Sequence, residues 1–275
     1  MSLLLKTGVA GCLLGALLFA GCAVNTEPQS QATLQPSAAE RAQIAPTGKL
    51  RVGVYFGSPT SMVMASDQSR AGVTYELGQA LASKLDVPFE PVEYKRVAEI
   101  IDALKTGAVD FTVTNASPAR AALVSFSSPV ISLELGYLVP AGSKVSAIGD
   151  VDQAGFRVGV TEGSSSQTAL RRAYRYATLV PQASLPVATE QLKLGQLDAF
   201  ATNKAILNEM LDKTPGARLL DGNWGLEHMA IAIPKGREAA LPFINSFATS
   251  VRDSGQLAWV VKRSGLRGAV TPPAK

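Results

Sequence analysis

Cysteine and histidine are scarce in this chain: Cys12, Cys22 and a single His228 among 275 residues. There is no CxxC, HExxH, GxGxxG or Walker-type loop, so neither a metal site nor a nucleotide site is implied and no cofactor is assigned. Aromatic side chains make up only 6% of the sequence and charged ones 17%. The basic residues fall in short groups, such as Arg171-Arg172 with Arg175 and Lys262-Arg263 with Arg267. Without an aromatic-interleaved basic stripe, nucleic acid is not an expected partner. The formal charge of +4 suits solvation and is compatible with an anionic ligand.

Charge is also missing from residues 7–21. After one early cation, Lys6, the run to Gly21 is uncharged and mostly apolar, and it ends in small residues. It is shorter than the roughly 20 apolar residues a membrane span needs, which makes residues 1–21 a secretory signal. Leu18-Phe19-Ala20-Gly21-Cys22 resembles the bacterial lipobox, whose cysteine is lipidated and becomes the first residue. An ordinary signal peptide or a short membrane anchor is the alternative. Cleavage removes Cys12, so no internal disulfide remains possible, and a lipidated Cys22 is not a free thiol in an oxidising compartment. Residues 22–47 are rich in Gln, Pro, Ser, Ala and Thr. Such a stretch buries too little surface to offset chain entropy and is expected to be a disordered tether.

Beyond the tether the pattern becomes that of a packed body. Residues 49–55 (KLRVGVY) are β-branched and alternating, a strand, and 73–86 place Leu77, Leu81 and Leu85 on one helical face. A second strand begins at 89–92. Val97, Ile100, Ile101 and Leu104 form another helical stripe, stopped by Gly107, and Val109, Phe111 and Val113 alternate as a third strand. Strand, helix, strand, helix, strand is the order of a parallel α/β unit. It restarts after residue 135, with strands at 156–161, 178–180 and 197–201 and helices between and after them, although no sequence repeat is evident. A late strand at 229–233 and helices over 238–266 complete the body. The expectation is two lobes joined by crossovers near 135–139 and 229–234, with a ligand in the cleft at the carboxyl ends of the strands.

Four runs carry a family resemblance. GVTYELGQALASKLDVP (72–88), LKTGAVDFTVTNASPARAALVSFSSPV (104–130), VGVTEGSSS (158–166) and LKLGQLDAFATN (192–203) resemble the solute-binding proteins of polar amino-acid ABC transporters, bacterial solute-binding protein family 3. The resemblance covers about residues 48–266. Its most specific piece is Asp110 at the third strand, an arginine ten residues later, and Phe126 to Pro129. It implies a type II periplasmic-binding-protein-like fold, with lobe 1 from 48–136 plus 234–267, lobe 2 from 137–233, and 268–275 a flexible tail.

The resemblance also implies a site. Arg120 matches the arginine that grips a ligand carboxylate, for which a planar, permanently charged guanidinium is suited. Asn115 stands where a Ser or Thr usually contributes. Ser117 precedes the arginine, and before Pro118 it is equally an N-cap. Ser164 matches a ligand-binding hydroxyl in the second lobe, with Ser165 beside it in a loop that is also a plain capping loop. Phe56, next to Tyr55, lies near where the family stacks an aromatic on the ligand, though the loop does not align cleanly. Asn203 is the sharpest departure: members carry there an aspartate against the ligand's ammonium, and Asn203 lacks the charge. It also reads as an N-cap before Lys204. The expected solute is therefore small and anionic or amino-acid-like, with a carboxylate lacking a free amine favoured. His228 reads as a hinge or surface residue and Asp198 as a support for the fold.

Together these readings describe an extracytoplasmic lipoprotein that captures a solute for an ABC permease. It would be anchored to a membrane by its lipid, monomeric and non-enzymatic. One rival is an enzyme on the same fold, of the cyclohexadienyl-dehydratase type, which needs a general acid; Glu162 and His228 are the candidates. The other is a sensory or partner-binding lipoprotein without a transport role.

Overall fold

The computed structural model describes residues 35–270. The signal segment, Cys22 and the first part of the expected tether lie outside the described residues, as do residues 271–275. Among the described residues no helix is long and apolar enough to cross a membrane.

Packing begins earlier than composition suggested. Where a disordered tether was expected through residue 47, Ala38–Ile44 forms helix α1. Ser37 Oγ accepts from the Glu40 N–H at 3.2 Å, and Glu40 accepts in return from the Ser37 N–H at 2.8 Å, a reciprocal capping box. Ile44 enters the core at 1% exposure. Burying such a side chain contributes about 1.5–3 kcal/mol, enough to hold a short capped helix.

The chain continues through β1 (Leu50–Tyr55), the small hairpin β2 (Val63–Met64) and β3 (Arg70–Ala71), α2 (Val73–Leu85), β4 (Phe89–Tyr94) and α3 (Val97–Thr106). Next come β5 (Thr112–Asn115), a single turn α4 (Pro118–Ala121) and the long β6 (Val124–Val139). As expected, Gly107 ends α3 in the left-handed conformation, φ 71°. The second unit holds β7 (Arg157–Thr161), α5 (Ser165–Ala173), β8 (Thr178–Gln182), α6 (Leu185–Lys193), β9 (Ala199–Asn203), α7 (Lys204–Leu211) and β10 (Arg218–Leu219). Then β11 (Gly225–Pro234), α8 (Leu241–Asp253), α9 (Gln256–Arg263) and β12 (Ala269–Val270) close the chain.

In lobe 1 the strands lie in the order β4, β1, β5, β11, β6. β1 pairs with β4 in parallel and meets β5 through Val52↔Phe111, whereas β11 runs antiparallel to β5 and β6. Helices α1, α2, α8 and α9 cover one face of this sheet and α3 the other. Lobe 2 has the order β8, β7, β9, β6, with α5 on one face and α6 and α7 on the other. The α/β two-lobed architecture expected from the sequence is the one observed.

Two boundaries move. Met229–Ala232 pair with β5, and Ile231 and Ile233 are buried in lobe 1. The return crossing therefore falls at residues 225–228 rather than 229–234, and lobe 2 ends near Trp224. The expected tail from 268 begins as strand β12, with Ala269 and Val270 pairing with Leu133 and Ser132 of β6. A two-residue strand leaves almost no alternation to read in the sequence.

Each lobe is fixed by the same ionic clamp. Asp110, fully buried, accepts from the Arg51 N–H at 3.0 Å, from Arg51 Nε at 2.9 Å and Nη2 at 2.7 Å, and from Arg237 Nη1 at 2.8 Å. In lobe 2, Asp198 accepts from the Arg157 N–H at 2.8 Å and from Arg157 Nε and Nη2, both at 2.9 Å. The correspondence extends to the sequence. Residues 104–115 and 192–203 share Leu, Lys, Gly, Asp, Thr and Asn at matching places, an internal repeat that diverged apolar positions hide.

Asp110→Asn is expected to cost about 3–5 kcal/mol in urea unfolding, because two arginines lose their buried partner. Asp198→Asn, whose carboxylate is partly exposed, should cost much less. The hydrogen bonds from Arg157 hold the Asp198 carboxyl below its usual value. Its contribution is thus fully present above the ordinary carboxylate range near pH 4 and is lost as the pH falls through the lowered value. Melting temperature measured from pH 6 to pH 2 should fall less steeply in Asp198→Asn than in the natural protein.

Candidate ligand-binding cleft

The clamps set where the strands end. Five residues after Asp110 and Asp198, Asn115 and Asn203 stand at the carboxyl ends of β5 and β9, one from each lobe. Between the lobes opens a cleft of about 530 Å³, to which Asn115, Ser117, Arg120, Ser164 and Ser165 all contribute. Asn203 lines its inner continuation, together with Asn115, Arg120 and Tyr55. Six of the seven expected ligand-binding residues are thus brought together. Phe56 is the exception: it is 43% exposed and does not line the cleft, and the neighbouring Tyr55 occupies the wall instead. Tyr55 ends β1 and Phe56 follows it, and successive side chains of extended backbone face opposite sides.

Arg120 is 8% exposed, at the end of the α4 turn. Its Nη1 donates to Thr114 Oγ1 at 2.6 Å, and it forms no ion pair among the described residues. Burial pushes its pKa below the ordinary value, yet a guanidinium stays charged at any relevant pH. The nearby Glu227 carboxylate acts on Arg120 through space but makes no direct ion pair with it, so a buried cation without an anion in contact leaves a place for one at this point.

Several expected contacts double as helix caps. Ser117 Oγ accepts from the Arg120 N–H, Ser164 Oγ from the Gln167 N–H at 3.1 Å and Asn203 Oδ1 from the Ile206 N–H at 3.1 Å. The cap orients Asn203, so its amide NH₂ points into the cleft. Asn115 is oriented similarly, its Oδ1 accepting from the His228 N–H at 3.3 Å.

Both amides point at a residue that the sequence did not single out. Glu227, 5% exposed on β11, accepts from Asn203 Nδ2 at 3.0 Å, Asn115 Nδ2 at 3.4 Å and Ser165 Oγ at 2.5 Å. The cleft therefore holds a carboxylate even though position 203 carries none. The available signal was one acidic residue at the entrance of an apolar strand, and only tertiary structure ties it to residues 62 and 112 positions away. His228, expected as a hinge or surface residue, lies on β11 at the crossing between the lobes, its Nδ1 sharing a hydrogen bond of 2.8 Å with Ser132 Oγ of β6. Just beyond it the β11 register shifts between Met229 and Ala230, an irregularity of the kind that re-aims side chains beside sites.

Across the mouth the lobes touch. Arg96 Nη1 before α3 reaches Glu162 Oε2 after β7 at 3.0 Å. Gly163, at φ 71°, lies so close to α3 that an added Cβ would stand 2.5 Å from Ala98 Cβ. Glu162, a general-acid candidate on sequence, is thus engaged in a bridge between the lobes at the rim.

Comparison with known proteins gives this geometry a family. The model of bacterial extracellular solute-binding proteins, family 3, matches residues 50–264. A probable histidine-binding protein of Neisseria gonorrhoeae is 26% identical over 57% of this chain, and the match spans 61% of that relative's length. The ABC transporter glutamine-binding protein GlnH of Bacillus subtilis (strain 168) is 25% identical over 70% of this chain and 71% of its own. A mutant of ArgBP from T. maritima shares the fold with a TM-score of 0.73 at 22% identity, over 82% of this chain and 99% of that one. The chain belongs to the bacterial extracellular solute-binding proteins, family 3.

Proposed function

We propose that the protein captures a small solute carrying a carboxylate between its two lobes and delivers it to an ABC permease. The observation that carries this reading is Arg120: buried, charged and without an ion-pair partner at the floor of a cleft large enough for a small molecule. A bound carboxylate supplies the missing anion through two parallel hydrogen bonds. Contacts from both lobes favour the closed arrangement, since that arrangement alone presents all of them to the solute at once. The relatives are named for binding histidine and glutamine, which supports capture of a small amino-acid-like solute rather than catalysis. Lipidation at Cys22 would hold the body at the outer side of a membrane, beside the permease that receives the solute, and the body would act as a monomer.

Isothermal titration of the purified protein with small amino acids and carboxylic acids tests the reading. Arg120→Ala is expected to weaken every observed binding at least about a hundredfold, in line with removal of one partner from a buried charge pair. Unchanged affinity in that variant would disprove the assignment. A milder effect is expected at the mouth. The Arg96–Glu162 pair is partly exposed, so Glu162→Gln should lower affinity no more than about fivefold. Small-angle scattering should show the unliganded variant more open, with the liganded form unchanged.

A further inference from the structure

The described cleft contains two buried ionic groups of opposite sign that do not pair with each other. Arg120 has a hydroxyl partner and Glu227 three neutral donors, and no ion pair joins either to another residue among those described. Both line the same cavity. A carboxylate has about four acceptor positions, and three of Glu227's are taken, leaving Oε2 with Asn203 as its one donor. The amide orientations of Asn115 and Asn203 are fixed by backbone N–H groups. Glu227 is therefore held in place by the site without being neutralised by it.

This arrangement bears on the ligand's charge. A carboxylate without an amine satisfies Arg120 but brings a second negative charge into the cavity that holds Glu227. An amine without a carboxylate leaves Arg120 unmatched. A zwitterion matches both. The rest of the wall gives the third requirement. Ile101, Leu123, Leu135 and Leu226 line the cavity, with Leu123 39% and Leu226 49% exposed toward it or its mouth, while the charged Asp102 and Arg172 are exposed at the surface. Apolar surface left in a cleft is covered most favourably by an apolar group.

We propose that Glu227 receives the ligand's ammonium and that the solute is a zwitterion with an uncharged, apolar substituent. The proposal rests on Arg120 taking the carboxylate. It reverses the expectation drawn from Asn203: the negative charge absent there enters the cleft from the hinge strand β11, and Asn203 serves to orient it.

The test is calorimetric titration of the full chain with L-leucine and L-methionine, with L-glutamine and L-arginine, and with 2-hydroxy-4-methylpentanoate and 4-methylpentanoate. In the natural protein L-leucine or L-methionine should bind about a hundredfold more tightly than the two amine-free acids, and about tenfold more tightly than the polar amino acids. Glu227→Gln keeps the shape of the side chain and should reduce the amine-dependent preference to less than about tenfold, chiefly by weakening the amino acid. The comparison within the natural protein needs no variant, and Glu227→Asp gives a second, charge-retaining one that should keep the preference. Amine-free acids binding as tightly as leucine would overturn the proposal. So would a Glu227→Gln variant with the preference intact, or glutamine or arginine binding as tightly as leucine. If Arg120→Ala binds leucine normally, the underlying carboxylate assignment fails. If Arg120→Ala loses binding but the amine makes no difference, Glu227 alone is wrong. Silence across all six probes overturns the substrate class.

Discussion

Asp110 and its arginines are the constraint from which the rest of the molecule follows. A carboxylate with no exposure is tolerable only when its lone pairs are filled, and here they are filled by one backbone N–H and two guanidinium groups. Because the backbone N–H of Arg51 takes part along with its side chain, the bond fixes more than proximity: it fixes the register of β1 against β5. Asp198 and Arg157 do the same for β7 and β9. Register then decides which residue emerges at each strand's end, and in both lobes it is an asparagine. The position of the cleft amides is set by ionic bonds located at the far ends of the strands.

The two asparagines meet at a glutamate that belongs to neither α/β unit. Glu227 sits on β11 at the crossing between lobes, where three donors from both sides converge on it. Opposite charge stands on the α4 turn in Arg120. The two make no direct ion pair and each is hydrogen-bonded by neutral groups, although the Glu227 charge still acts on Arg120. The arrangement contrasts with the fully paired arginines at Asp110.

Much of this was legible in the sequence, for reasons that differ by element. Helix α3 showed itself through Val97, Ile100, Ile101 and Leu104 and its terminal Gly107, since local periodicity and capping are written within a few residues. Strands 50–55 and 156–161 were equally plain. The helix at Ala38–Ile44 was missed although Ser37 and Glu40 have the spacing of a capping box; composition averaged over 22–47 outweighed four informative residues. The internal repeat was missed because its apolar positions exchange freely within packed cores while the polar ones persist. Phe56 was expected beside the cleft but is exposed, with Tyr55 on the wall instead, because a single position changes the side faced. Glu227 was invisible because its partners come from two separate strands and a helix, Asn115 on β5, Asn203 on β9 and Ser165 on α5.

The crossing between the lobes is built as a ribbon. β6 runs 16 residues through both units, and β11 pairs along it from Gly225↔Leu135 to Pro234↔Val124. On the other edge of β6, β12 pairs with Ser132 and Leu133, the same residues that face His228 and Glu227 on β11. At that level the ribbon is three strands wide. A hydrogen-bonded ribbon resists splaying in its own plane and yields by flexing out of it, so the lobes are confined to something close to a single bending axis. The short C-terminal strand is then a splint laid across the flexure. Its two residues brace the ribbon beside Glu227 and His228, so stiffness at the crossing depends on a pairing as short as Ala269 and Val270.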